Sequence, residues 1–130
     1  MRIALAAIAV AASIQAASAQ SLSPMRGEVR SFTDRFAVRV FVGNPYQRRM
    51  QFEVAVYDRN FFPAVASVVP SRVTIGGGET QPVLVVVPFE GQNERRVRIC
   101  VEGVAYNGNS TRVRTQVCGK FLARSFAQEP

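Results

Sequence analysis

Between Arg35 and Asp58 the chain alternates apolar and polar residues with a period of two. The stretch "RFAVRVFVGN" puts Phe36, Val38, Val40 and Val42 on one face and Arg35, Ala37, Arg39 and Phe41 on the other. Successive side chains of a strand point to opposite faces, so this is a half-buried strand. "GNPY" closes it with turn residues. "MQFEVAVYD" then sets Phe52, Val54 and Val56 against Gln51, Glu53, Ala55 and Tyr57. Two such strands with a short connection predict an antiparallel hairpin. "RNFFPAVASVVPS" is less regular. Pro63 and Pro70 exclude a central ladder position, which leaves a loop with one short edge strand. "SRVTIGGGETQPVLVVVPF" reads as a short strand, a tight glycine turn and a long strand. Val83, Val85 and Val87 alternate there with Leu84 and Val86, which predicts cover on both sides.

"ERRVRICVEGVAY", the turn "NGNS" and "TRVRTQVCGKFLAR" predict a final long hairpin whose register can be tested on paper. If facing residues sum to 218, Cys100 faces Cys118, Arg98 faces Lys120 and Glu102 faces Gln116. On the other face Val101 meets Val117, Val97 meets Phe121 and Ala105 meets Val113. One register thus separates apolar from polar residues on both strands, and a slip by one residue would mix the faces. It also predicts a Cys100–Cys118 disulfide between neighbouring strands, on the outer, polar face. A metal site is excluded as the use of this pair, since two Cys without His cannot complete a zinc shell. There is no C-x-x-C spacing for redox chemistry. In all, six or seven strands at short, regular spacing predict an all-β chain, an immunoglobulin-like antiparallel β-sandwich of about seven strands.

The start of the chain does not belong to that pattern. "MR" is followed by an apolar run from Ile3 to Ile14 and then by Ala17-Ser18-Ala19. This reads as a secretory signal over residues 1–19, cut after Ala19. Residues 20–130 form the single domain, with a frayed tail over 125–130. Export to the periplasm or beyond favours the disulfide. No later apolar run is long enough for a membrane span.

Charge changes the picture less than its size suggests. There are 16 basic and 9 acidic residues, a formal net charge of +7, with Lys120 as the one lysine. Export argues against nucleic acid as the partner. The tightest groups are Arg48-Arg49 and Arg95-Arg96-Arg98; of these, Arg48, Arg49, Arg95 and Arg96 are candidate contacts for an anionic polymer or lipid surface, or else solvated strand faces. No histidine is present, which excludes Ser-His-Asp and Cys-His catalysis. Asp34, Glu53 and Asp58 show no spacing suited to a carboxylate pair. "IGGGET" lacks the Gly-Lys-Ser/Thr of a phosphate loop, and "NST" at Asn109 reads as turn chemistry. The expectation is a non-enzymatic protein without a cofactor.

"VRVFVGNPYQRRMQFEVAVYD" followed by "VVPSRVTIGGGETQPVLVVV" resembles the amino-terminal domain of the periplasmic pilus chaperones, the PapD-like family, over about 55 residues. Asn44, Pro70, Ile75 and Gln81 stand at matching places in its rhythm of strands and turns. The resemblance implies export, a sandwich and the capping of an incomplete partner by strand addition. Those chaperones have two domains and hold the subunit at a basic pair in the cleft between them; this chain has room for one domain. The candidate edge is the last strand, where Val113, Val117 and Phe121 alternate. The plain alternative is that these three fill the domain's own core. The sequence therefore predicts an exported binding domain for another envelope or periplasmic protein, possible assembly chaperone activity included. The competing reading is an accessory envelope module whose arginines bind anionic polymer or lipid.

Overall fold

The computed structural model describes residues 21–106 and 112–127, with backbone alone at 104–106 and 112–114. The signal segment, the "NGN" turn with Asn109, and residues 128–130 lie outside the described residues. Nine strands make up the described fold, in order β1 (Ser21–Ser23), β2 (Arg26–Ser31), β3 (Arg35–Gly43), β4 (Met50–Asp58), β5 (Ser67–Val69), β6 (Arg72–Ile75), β7 (Thr80–Pro88), β8 (Glu94–Tyr106) and β9 (Arg112–Ser125). They form a four-stranded sheet, β1-β3-β7-β5, and a five-stranded sheet, β2-β9-β8-β4-β6. The core lies between them. Phe36, Val38, Val40 and Val42 from β3 and Val83, Val85 and Val87 from β7 meet Phe52, Val54 and Val56 from β4 and Val97, Ile99 and Val101 from β8. This is the sandwich the alternation predicts, with two more strands than expected.

Three expectations are corrected. β3 and β4 do not form a hairpin: β3 pairs with β1 and β7, and β4 pairs with β6 and β8 in the other sheet. Their connection crosses the sandwich, so both apolar faces point at each other. Asn44 fixes that crossing although it is buried. Its Nδ2 donates to the carbonyls of Arg48 at 2.8 Å and Ile75 at 2.9 Å, and its Oδ1 accepts from the Tyr46 amide. The second correction concerns β7, whose outer face is only partly covered: Val86 is half-buried and Leu84 is exposed. The third concerns the tail. Ser125 pairs with Ser31 in β2, and the Phe126 amide donates to the Ser31 carbonyl at 2.8 Å, so residues 125 and 126 are held.

The glycine run does make a tight turn. Gly78 has φ +74°, a conformation that favours glycine, and a Cβ on Gly77 would lie 2.5 Å from the Gln47 carbonyl oxygen. The short strand that follows the Pro63 region is β5, an edge strand on β7, as expected.

The alternation along the chain predicts neither β1 nor β2. The chain enters in the four-stranded sheet, with β1 antiparallel to β3. Pro24, which has no amide to donate, stands between β1 and β2. The chain then passes to the five-stranded sheet, where β2 runs parallel to β9.

Candidate functional site

The last hairpin adopts the register summing to 218 along its whole length, from Glu94↔Arg124 to Tyr106↔Arg112. Cys100 and Cys118 face each other and are joined, with Cα atoms 4.0 Å apart. That short separation marks a non-hydrogen-bonded pair. Ile99 and Val101 point into the core, so the bridge lies on the outward face, flanked by Ala55 of β4. The neighbouring side chains leave Cys100 only 1% exposed, so its surroundings are less open than a polar face implies.

The pairing also fixes which way the β9 amides point. In an antiparallel ladder, a non-hydrogen-bonded residue turns its N–H and C=O away from its partner strand. Cys118 therefore points away from β8, as do Gln116 and Arg114 by period two. Lys120 follows the same parity, and its amide does donate outward, to the Met25 carbonyl at 2.8 Å.

From Lys120 to Ser125 this outer edge is taken by β2, in the register Arg26↔Lys120 to Ser31↔Ser125. From Arg112 to Gly119, β8 is the only ladder partner among the described residues. Gly119 marks the boundary. A Cβ there would sit 3.1 Å from the Met25 carbonyl oxygen and 2.9 Å from the Phe121 ring, so a side chain would push the β1–β2 crossing away.

The three candidate edge residues separate accordingly. Phe121 is 3% exposed in the core, with Gly27 of β2 opposite, so it offers no edge contact. Val117 is half-buried, packs on the core and lies in the stretch with one partner strand. Val113 is on that stretch by its backbone, and its side chain is outside the described residues.

The candidate arginines are scattered as well. Arg48 and Arg49 lie exposed in the β3–β4 connection, beside the Met50 end of β4. Arg95 shares the inward parity of Val97 and Ile99, at the rim of the core. Its Nη1 donates to the Pro88 carbonyl and its Nη2 lies 3.8 Å from Glu90, which leaves the side chain 11% exposed. Arg95 thus braces the β7–β8 connection and is removed from the set of surface contacts. Arg96 points outward and is paired only loosely with Glu94, at 3.5 Å.

Arg96 belongs to a basic groove whose members are scattered along the sequence. Its walls include Arg26 and Glu28 of β2, Lys120 of β9, Arg96 and Arg98 of β8, and Arg59 beyond β4, around an open volume of about 850 Å³. The registers put Arg26 beside Lys120, Lys120 beside Arg98, and Arg98 beside Tyr57. Three cations thus stand in one row on adjacent strands spaced by about 4.8 Å. Like charges facing across a ladder destabilise it, by something of the order of a few tenths of a kcal/mol per pair. No carboxylate lies within ion-pair distance of Arg26, Arg59, Arg98 or Lys120 among the described residues. Arg98 is held by stacking instead: its guanidinium carbon lies 4.7 Å from the centroid of the Phe61 ring. Its Nε is buried without a hydrogen-bond partner, an omission that costs about 1–3 kcal/mol. Phe61 takes a left-handed φ of 62°, in a turn capped by the Asp58 carboxylate, which accepts from the amides of Asn60 and Phe62.

No protein-family model matches the sequence, and no curated protein does. Solved structures do match. The Escherichia coli chaperone DraB superposes with a TM-score of 0.70 at 19% identity, over 86% of this chain and 58% of that one. The complex of the Salmonella enterica SafA pilin with the SafB chaperone gives 0.69 at 17% identity, over 86% and 57%. The chain thus spans a little over half the length of these two. A PapD-like domain of human CEP192 gives 0.63 at 9% identity, over 99% and 100%. At these identities the likeness concerns the fold: the chain has the immunoglobulin-like β-sandwich fold of the PapD-like domains.

Proposed function

We propose that the protein is an exported, non-enzymatic binding domain that holds another envelope protein by β-strand addition along Arg112–Gly119 of β9, in the manner of an assembly chaperone. One observation carries this reading: among the described residues, β9 is paired on both sides from Lys120 to Ser125 and on one side before it. The outward amides and carbonyls of Arg114, Gln116 and Cys118 form a template for a partner strand. The half-buried Val117 supplies an apolar contact beside it. The disulfide keeps this stretch aligned on β8. The chaperone likeness supports the same reading, as does a disulfide suited to an oxidising compartment.

The geometry also favours a direction. β2 is parallel to β9 and in line with the stretch that is laddered to β8 alone among the described residues. A partner strand lying parallel in the same line ends against Met25, beside Arg26 and Lys120. A carboxylate at that end, from a side chain or a chain terminus, meets two cations.

Main-chain bonds and apolar contact resist salt, whereas charge pairing does not. The test is retention of a periplasmic partner in about 1 M salt, where the Debye length is about 3 Å. The wild type and a Gln116→Ala variant are expected to retain it. A Gln116→Pro variant is expected to lose it, because proline removes one outward amide and no bond to β8. Equal retention by the proline variant, with its fold intact by circular dichroism, would overturn strand addition.

A further inference from the structure

The groove beside the edge is larger than one carboxylate requires, and it is built to receive more. An added strand cannot continue in the plane of the sheet past Gly119, because the Met25 carbonyl already holds the Lys120 amide. The inward side there is filled by Leu22 and Phe121. The partner chain must therefore stop or turn outward, and the outward side is the row Arg26, Lys120, Arg98 with Arg96 and Arg59 beyond it.

We propose that an acidic peptide segment of the same partner crosses this face and sets at least two carboxylates against Arg98, Arg96 and Arg59. This rests on the strand-addition reading for its entry point, not for its chemistry. The groove has five cations and one acid, Glu28, on its walls, and a low-dielectric floor of sheet that focuses the field. The Phe61 ring fixes the Arg98 guanidinium without consuming its terminal N–H groups in hydrogen bonds to the protein. Arg96 is tied only by a long, exposed pair to Glu94. An arriving carboxylate replaces like-charge contacts by opposite-charge ones, and the one existing pair it competes with is the exposed Arg96–Glu94 contact. A peptide fits better than a flat lipid surface, because the cations line a concave groove that opens from the end of a strand edge.

The experiment uses the full chain and synthetic octaglutamate, with pyrophosphate and phosphatidylglycerol vesicles as separate arms, at low salt. Octaglutamate is expected to bind saturably. Arg59→Glu combined with Arg96→Glu, both at exposed positions, is expected to weaken it about tenfold, and Arg48→Glu with Arg49→Glu less than about twofold for the same change in net charge. Gln116→Pro is expected to leave octaglutamate binding unchanged, so the groove and the edge are tested apart. Equal weakening by the two double variants would overturn the groove in favour of bulk charge. Absence of saturable binding would overturn it outright. Pyrophosphate or vesicles binding more tightly than octaglutamate, with the same dependence on Arg59 and Arg96, would overturn the peptide in favour of phosphate.

Discussion

The two halves of β9 share a strand, a partner and a register, yet only one of them is finished. Residues 120–125 lie between β8 and β2 and carry Phe121 and Ala123 into the core. Among the described residues, 112–119 have β8 as their one ladder partner, with Val117 half-buried. The difference arises at Met25, whose carbonyl takes the Lys120 amide and begins the second ladder. Alternation of apolar residues is therefore not a measure of exposure along an edge strand. The same pattern can be internal at one end and available at the other, depending on where a second strand starts.

The largest effect that sharpens this comparison is on stability. Phe121→Ala is expected to cost about 3–5 kcal/mol, the usual loss for a buried aromatic. Val117→Ala is expected to cost about 1 kcal/mol, since roughly half of a valine's burial is at stake. Urea titration of both variants measures the gap; equal losses would mean that the two halves are buried alike. Next comes the bridge that ties the unfinished half to β8. Replacing Cys100 and Cys118 together by serine is expected to cost about 3 kcal/mol in the chain-entropy view of an eighteen-residue separation. Unfolding with and without reductant checks it, and an unchanged midpoint on reduction would remove the clamp from the account.

Much of this was legible before the structure. The register of the last hairpin followed from Val97, Ile99 and Val101 matching Phe121, Gly119 and Val117, because one face of a buried strand tolerates no slip. The row Arg98↔Lys120 came with it. Its third member did not, because Arg26 joins through a parallel pairing between segments far apart in sequence. β2 itself shows one large apolar residue, Val29, in "RGEVRS", too faint an alternation to name a strand. The β3–β4 error has a related cause. A period of two tells which face is buried and not which strand lies alongside, so a chain crossing between sheets looks like a hairpin. Arg95 was misplaced by its side-chain type, although its parity with Val97 already set it on the inward face.

The finest test asks the backbone directly. In β9 the even-numbered amides point away from β8. Leu122 and Arg124 therefore point at β2, whereas Arg114, Gln116 and Cys118 meet no second strand among the described residues. Opening a doubly paired amide requires a larger unfolding event than exposing one that is already free. In native-state hydrogen exchange, Gln116 and Cys118 are expected to exchange early and Leu122 and Arg124 late. Val117, whose amide points at β8, is expected to stay protected between two fast neighbours. That alternation is a signature that general fraying of the hairpin end would not give, since fraying releases odd and even amides together. Protection of Gln116 equal to that of Leu122 in the isolated protein would mean that the edge is already covered, and strand addition would then need a displacement. Protection that appears only when a partner is bound would place the added strand on this half of β9.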